Sequence, residues 1–517
     1  MTSTTVHTLR ARSASGATAA TLAAVAGFAA TLYLYYPGFM TWDSTFQFAQ
    51  VVSGQVENSH PPLMVYVWML ANAVVYGPGG MLILQAAAYW TGLALIAAAL
   101  GRSAAIAAAL VLLLGFFPPL FATIAMIWKD TGCLAFLLLA TGLALQARMS
   151  AAPRSRATLV VCGLAATFYA SALRSPNLPS ALPLLWLLCG ALPALSRPAS
   201  KRLAAVAVIA VVFAGGIFLL DNVGVKRLPY RAAVPLWDLA RISIARNELL
   251  LPPYAIHDPS LDLPRLREIS RDFRCDVYDP ADGKKPTTDV SFRTLSEADA
   301  DRLMRDWASA IAAHPGAYLE HRGHVTSLLF TDPMMKVWHA MESIDGFTLD
   351  IAFEPRPPYR QVRKALLWAS MHGFFTPWIY VVLATGVLAA SYRVRTATAS
   401  EARAVALSAL LYVAPLPVIA PSTDFRYTIW LVAGSLVSLV LLAAGLGNAI
   451  QPSASAAWAA IATSARAALA VLRRSTGKSG SSSRTAPSSR GSTACRARRS
   501  AAGRRPSTRP SRSRDVR

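Results

Sequence analysis

The sequence predicts an all-α polytopic membrane protein of about ten transmembrane helices with a mixed, largely helical outer domain. Three observations predict it. Hydrophobic residues make up 54% of the chain and charged residues 15%, where a soluble domain carries about a quarter charged. Apolar runs of about 18–20 residues recur between Arg or Pro/Gly clusters, each long enough for a hydrocarbon core of about 30 Å. Short basic clusters close alternate runs, as the positive-inside rule requires.

In order along the chain, residues 1–16 hold Arg10 and Arg12 and read as a cytoplasmic N-terminus. Residues 17–220 hold spans one to seven, with a first outer loop at 37–80. The run 16–36 is too long for the h-region of a signal peptide, and no A-x-A-like site precedes its exit at Tyr36-Pro37-Gly38. It reads as an uncleaved first span. Residues 61–76, bounded by His60-Pro61-Pro62 and Gly77-Pro78-Gly79-Gly80, are short for a span and read as an interfacial helix. Counting them as a span would move the later basic clusters to the outside. Spans two to seven then read as 81–100, 104–127, 131–145, 157–173, 179–195 and 203–220. An outer domain follows at 221–364, then spans eight to ten within 365–446, at 365–390, 404–420 and 427–446.

The net charge of +23 belongs largely to residues 447–517. After Leu472 that tail carries fourteen Lys or Arg against one acid, Asp515, in a Ser, Pro, Gly and Ala background. Such a composition buries no core and reads as a disordered cytoplasmic tail. It would suit nucleic acid, but a place on anionic lipid or no role at all is the simpler reading, and no nucleic-acid partner is expected. Cys133, Cys162 and Cys189 lie in apolar runs and read as small core residues, while Cys275 and Cys495 stand alone. No pair has metal spacing and no disulfide framework is implied.

The acids are more informative. Of 27 Asp and Glu, all but Asp43, Glu57, Asp130, Glu401, Asp424 and Asp515 fall in 221–364. Glu401 and Asp515 map to the cytoplasm, and the other four to span ends on the outer face. His60 lies near Glu57, Lys129 beside Asp130, and Arg426 near Asp424; Arg174 reaches the same face. Ionisable groups beside a bilayer are functional candidates by default, and a cation keeps a neighbouring carboxylate ionised while offering a charge to phosphate. Asp43 opens a short helix on which Gln47 and Gln50 follow at i+4 and i+7, and it serves either as a general base or as a helix cap.

Within the outer region, residues 296–330 read as two helices. Ser296 and Asp299 resemble a capping box, Leu303, Trp307 and Ile311 form an apolar stripe, and Pro315 starts the second helix. His321 and His324 stand at i, i+3 without the H-E-x-x-H pattern of a zinc site, and Arg322 is read as pointing to the membrane face. No Gly-rich phosphate loop occurs anywhere.

This order resembles the GT-C superfamily of membrane glycosyltransferases, which includes protein O-mannosyltransferases and the aminoarabinose transferases that modify lipid A. The resemblance covers roughly residues 17–446 and rests on Pro37-Gly38, Asp43 and Gln47; on His60-Pro61-Pro62-Leu63; on Lys129-Asp130; on His314-Pro315 with Tyr318 and Arg322; and on Asp424 with Arg426-Tyr427. Ser44 follows Asp43 where many members have Glu. The resemblance implies a GT-C-like bundle in the plasma membrane and an inverting transferase using a polyprenyl-phosphate sugar. The acceptor would be a hydroxyl of an envelope glycan, lipid or protein, and the site would lie on the extracytoplasmic face. Asp43 would be the general base, with Lys129, Arg174, Arg322 and Arg426 on the donor phosphate and Gln47, Glu57, His60, Asp130 and Asp424 in support. Cations suffice for such a donor, so no metal or other cofactor is expected. The alternatives are a transporter or lipid flippase, whose charges would line broken helices near the midplane, and a non-catalytic envelope assembly protein.

Overall fold

In hydrocarbon a backbone finds no partner but itself, and this chain meets that demand with helices. The computed structural model describes residues 3–275, 290–338, 343–344, 347–348 and 353–447. They belong to one unit spanning Met1–Pro452, while the second unit, Ser453–Arg517, with the basic tail, lies outside the described residues.

Among the described residues, seven helices are long and apolar enough to cross a membrane: Ala14–Tyr35, Gly79–Ala99, Lys129–Met149, Pro153–Leu173, Ala199–Asn222, Ala397–Ile419 and Phe425–Gly447. Helices Ala104–Gly115 and Pro118–Ile124 meet at a 66° bend and make an eighth if taken as one span. Pro118 and Pro119 cause the bend, since neither can donate to the preceding turn. The expected count of about ten is not confirmed. The stretch 179–195 forms a helix of 14 residues, Leu178–Ala191, then the single turn Pro193–Ser196. Such a helix is only about 21 Å long. The stretch 365–390 divides into the ends of Tyr359–Met371 and Pro377–Ser391. Gly373, at φ 82°, ends the first, and Pro377 opens the second. Residues 62–74 form a 13-residue apolar helix, too short to span alone.

Small residues let the bundle close. A Cβ on Gly92 would lie 2.6 Å from the Leu139 backbone nitrogen, so helix Gly79–Ala99 meets Lys129–Met149 backbone to backbone only because that position is glycine. Trp90 is fully buried, and its indole donates to Thr31 Oγ1 at 2.9 Å. Cys133 and Cys189 are buried as expected, but Cys162 is exposed on its span rather than in the core. Cys162 lies on the outward side of the helix Pro153–Leu173, a direction that hydrophobicity alone does not reveal.

The outer region builds its own core from Leu236, Leu239, Leu266, Ile269, Ala300 and Leu303. Its principal helices are Ala233–Arg246, Leu263–Ile269, Glu297–Ala313 and Pro315–Thr331. Ser296 caps the third, accepting from the Asp299 N–H at 3.1 Å. The strand content among the described residues is a two-residue antiparallel pair, Ser343–Ile344 with Phe347–Thr348.

Candidate active site

The site is assembled from loops at one end of the bundle. Past the first span, Phe39 pairs with the segment before Lys129: its N–H donates to the Ala125 carbonyl at 2.8 Å, and its carbonyl accepts from Ile127 N–H at 2.9 Å. Helix Trp42–Ser53 follows at once. Thr41 is its N-cap and forms a capping box with Ser44. The Ser44 hydroxyl also donates to the Ile127 carbonyl at 2.7 Å, and Trp128 Nε1 donates to Thr41 Oγ1 at 2.8 Å. On the far side, Met334 pairs with the backbone at Thr423 and Phe425, and Arg274 bridges to Ser422, which holds the segment carrying Asp424 and Arg426.

Asp43 lies in the first turn of its helix, but the cap is Thr41. Its carboxylate instead accepts from Arg426 Nη1 at 2.6 Å. Arg426 also reaches Asp424 at 3.2 Å and stands 4.0 Å from Asp130. Its guanidinium lies over Trp128 and Tyr427, 4.9 and 5.2 Å from the ring centres. Asp130, fully buried, is bonded to Arg174, and Arg174 lies 4.6 Å over Tyr427. Lys129 Nζ sits 3.5 Å from His60 Nδ1.

Six of the expected site residues therefore gather with His60: Asp43, Lys129, Asp130, Arg174, Asp424 and Arg426. The pairings differ from those that sequence adjacency suggested. Lys129 and Asp130 are neighbours in one helix, so their side chains leave it about 100° apart. Lys129 turns to His60 and Asp130 to Arg174. Glu57 does not meet His60; it accepts from Ser59 Oγ at 2.5 Å and faces Arg293 at 3.6 Å. Gln47 and Gln50 are both buried. Gln50 Oε1 accepts from the Glu57 N–H at 2.9 Å and so ties the helix to the loop after it. Neither glutamine's Nε2 has a hydrogen-bond partner among the described residues.

Arg322 stands apart from this cluster. It is buried, with Nη2 2.6 Å from Asp238 and Nη1 donating to the Ala420 carbonyl at 2.9 Å. Asp238 is also met by Trp307 Nε1 at 2.9 Å and by His321 at 3.3 Å. This group braces the outer helices against the segment before Ser422. His324 faces Asp272 at 3.4 Å, away from His321's partner, and no cluster of three metal-ligating side chains occurs among the described residues.

An open cleft of about 200 Å³ borders the charged group. His60, Lys129, Arg174 and Tyr427 contribute polar atoms to its wall, and Leu173, Val234, Leu416 and Ile419 contribute apolar surface. Burial works to raise the Asp43 carboxyl, but Arg426, with Lys129, outweighs it and holds the group well below the usual carboxylate range. Burial, reinforced by Lys129, pushes His60 down to about 3. His60 is then neutral near pH 7, accepts from the lysine through Nδ1 and carries its proton on Nε2. A phosphate or similar anion fits the cationic part of this cleft, and an alkyl chain its apolar part.

Sequence reasoning passed over Tyr427 and Trp128 as site residues. The signal was their position next to Arg426 and Lys129, since an arginine in an apolar setting needs a flat aromatic face as well as counter-charges. No family model, curated protein or solved structure matches the chain.

Proposed function

We propose that the chain is a membrane glycosyltransferase of the GT-C kind, moving a sugar from a polyprenyl-phosphate donor to a hydroxyl of an envelope glycan, lipid or protein. On this reading it lies in the plasma membrane, with the site on the extracytoplasmic face. The observation that carries the reading is the meeting of Asp43, Lys129 and Arg426 beside a cleft with both cationic and apolar walls.

Each group has a part in one displacement. The acceptor oxygen attacks the anomeric carbon and passes its proton to Asp43. The bond from that carbon to the phosphate oxygen breaks, and the electron pair leaves with the lipid phosphate. Lys129 and Arg426 meet the charge that develops there. Apolar wall residues such as Leu416 and Ile419 suit the first isoprene units. A transporter would distribute its charges along the spans. Here Lys129 and Asp130 open their span and Arg148 lies in its last turn, with the middle left apolar.

The test is Asp43→Asn, assayed by transfer of labelled sugar from polyprenyl phosphate in membranes. Thr41 already caps the helix, so the amide costs no cap. Loss of the base should lower turnover by about 10²–10⁴-fold. A folded Asn variant with wild-type turnover removes Asp43 as the base.

A further inference from the structure

Arg174 and Arg426 already stand in ion pairs, whereas Lys129 meets only His60 among the described residues. Lys129, Arg174 and Arg426 stand among Asp43, Asp130 and Asp424, and His60 is neutral. A phosphate entering at low dielectric finds Lys129 without a carboxylate partner, but finds Arg426 already occupied. For Arg426 to add its charge, one carboxylate has to give way. The three differ in freedom. Asp130 is 0% exposed and locked to Arg174. Asp424 is 3% exposed, two residues from Arg426 on the same short turn. Asp43 is 31% exposed, comes from a different part of the chain and joins the group through Arg426.

We propose that a phosphate anion displaces Asp43 from Arg426, and that this exchange is what frees Asp43 to accept a proton. The inference rests on the transferase reading above and adds to it an order of events. Bound to the guanidinium, Asp43 is ionised but a poor proton acceptor, because protonating it would forfeit its hydrogen bond to the arginine. When a phosphate oxygen takes that place, the carboxylate keeps its negative charge, loses its cation and gains a second anion nearby. Both changes make it a stronger base. The donor thus activates the base, and acceptor deprotonation waits for the donor. Arg426 need not travel, because Asp424, Trp128 and Tyr427 hold it from other sides. The exchange makes and breaks no covalent bond.

The test measures phosphate affinity rather than turnover. Full-length protein in nanodiscs is titrated with polyprenyl phosphate, with neutral polyprenol and with inorganic phosphate, as wild type, Asp43→Asn and Asp43→Ala. Removing the competitor should tighten phosphate binding by about tenfold, the equivalent of ~1.4 kcal/mol, while polyprenol binds all three proteins alike. Tightening for polyprenyl phosphate alone assigns the exchange to a lipid-borne phosphate; tightening for inorganic phosphate as well assigns it to the phosphate group itself. Two variants guard against a folding defect in either, and their melting profiles are read alongside. If wild type binds polyprenyl phosphate and both folded variants bind it no better, the exchange is overturned and the transferase reading stands. If wild type binds no phosphate in either form, both fall.

Discussion

The pair Asp130–Arg174 offers the sharpest separation of a structural cation from a ligand-binding one. Asp130 is fully buried, Arg174 retains 9% of its side-chain surface, and the two are bonded directly. Arg174→Met removes the guanidinium but keeps an apolar stem over Tyr427. It leaves a carboxylate in a low-dielectric setting, which costs about 3–5 kcal/mol. Arg426, 4.0 Å away, supplies partial compensation, so the lower end, about 3 kcal/mol, is expected. Asp130→Leu should cost a similar amount by stranding Arg174, eased by the faces of Tyr427 and Tyr412. The double variant removes both charges and needs neither, so it should recover to near wild type or pass it, by about 1–4 kcal/mol at most. Denaturation of the four proteins in one detergent closes the cycle. If Arg174→Met alone is as stable as the double variant, the buried-pair account is refuted. Arg174 then has no structural debt to Asp130 and is free for phosphate, as the sequence suggested.

Arg322→Met should behave as a structural lesion, losing about 3–5 kcal/mol because Asp238 is left buried with only neutral donors. Phosphate affinity of the folded fraction should not change; a loss there would return Arg322 to the donor site. His60 sets a pH dependence whose sign follows from its downward shift. An unfolded His60 binds a proton below about pH 6.5, whereas the folded one does so only near about 3. Between those limits the unfolded state holds more protons, so this group's contribution is fully present above about pH 6.5 and falls as the pH drops toward 3. His60→Asn should flatten that acid loss of stability, read as melting temperature against pH beside wild type; an unchanged slope would show that His60 is not held neutral.

The long spans were legible because lipid imposes one requirement that hydropathy records directly. Runs such as 81–100 and 203–220 return as Gly79–Ala99 and Ala199–Asn222 within a few residues. The breaks were less legible. Pro118-Pro119 lies inside an apolar run that still looks continuous, and Gly373 to Pro377 divides a run whose average hydropathy hides the division. In the site, scarcity was the signal. Asp43, Lys129, Asp130, Arg174, Asp424 and Arg426 stood out because so few charges border the spans, and these six do meet. Which charge meets which was not legible, because it depends on side-chain direction and on segments far apart in sequence. Arg322 is the clearest case. Its partner Asp238 sits 84 residues earlier in the outer region, and no local pattern marks the two as a pair.

Trp128 explains how Asp43, the proposed base, and Arg426, the proposed anion-binding group, come from distant parts of the chain to share one geometry. Its ring face supports the Arg426 guanidinium at 4.9 Å, and its indole N–H donates to Thr41 Oγ1. Thr41 is the residue that starts the Asp43 helix, and Ser44, its capping partner, is tied to the Ile127 carbonyl just before Trp128. A single buried joint therefore fixes both the depth of the carboxylate and the plane of the guanidinium. Neither of its two hydrogen bonds nor its stacking contact uses the Asp43 carboxylate. The joint persists when that carboxylate changes partner, because a cation–aromatic contact does not depend on which anion occupies the guanidinium edge. On the exchange proposed above, this separation lets the Asp43 carboxylate change partner without disordering the site. Buried hydrogen bonds at Thr41 and Ser44 hold the first turn, and the part-buried carboxylate between them is left to respond to an incoming anion.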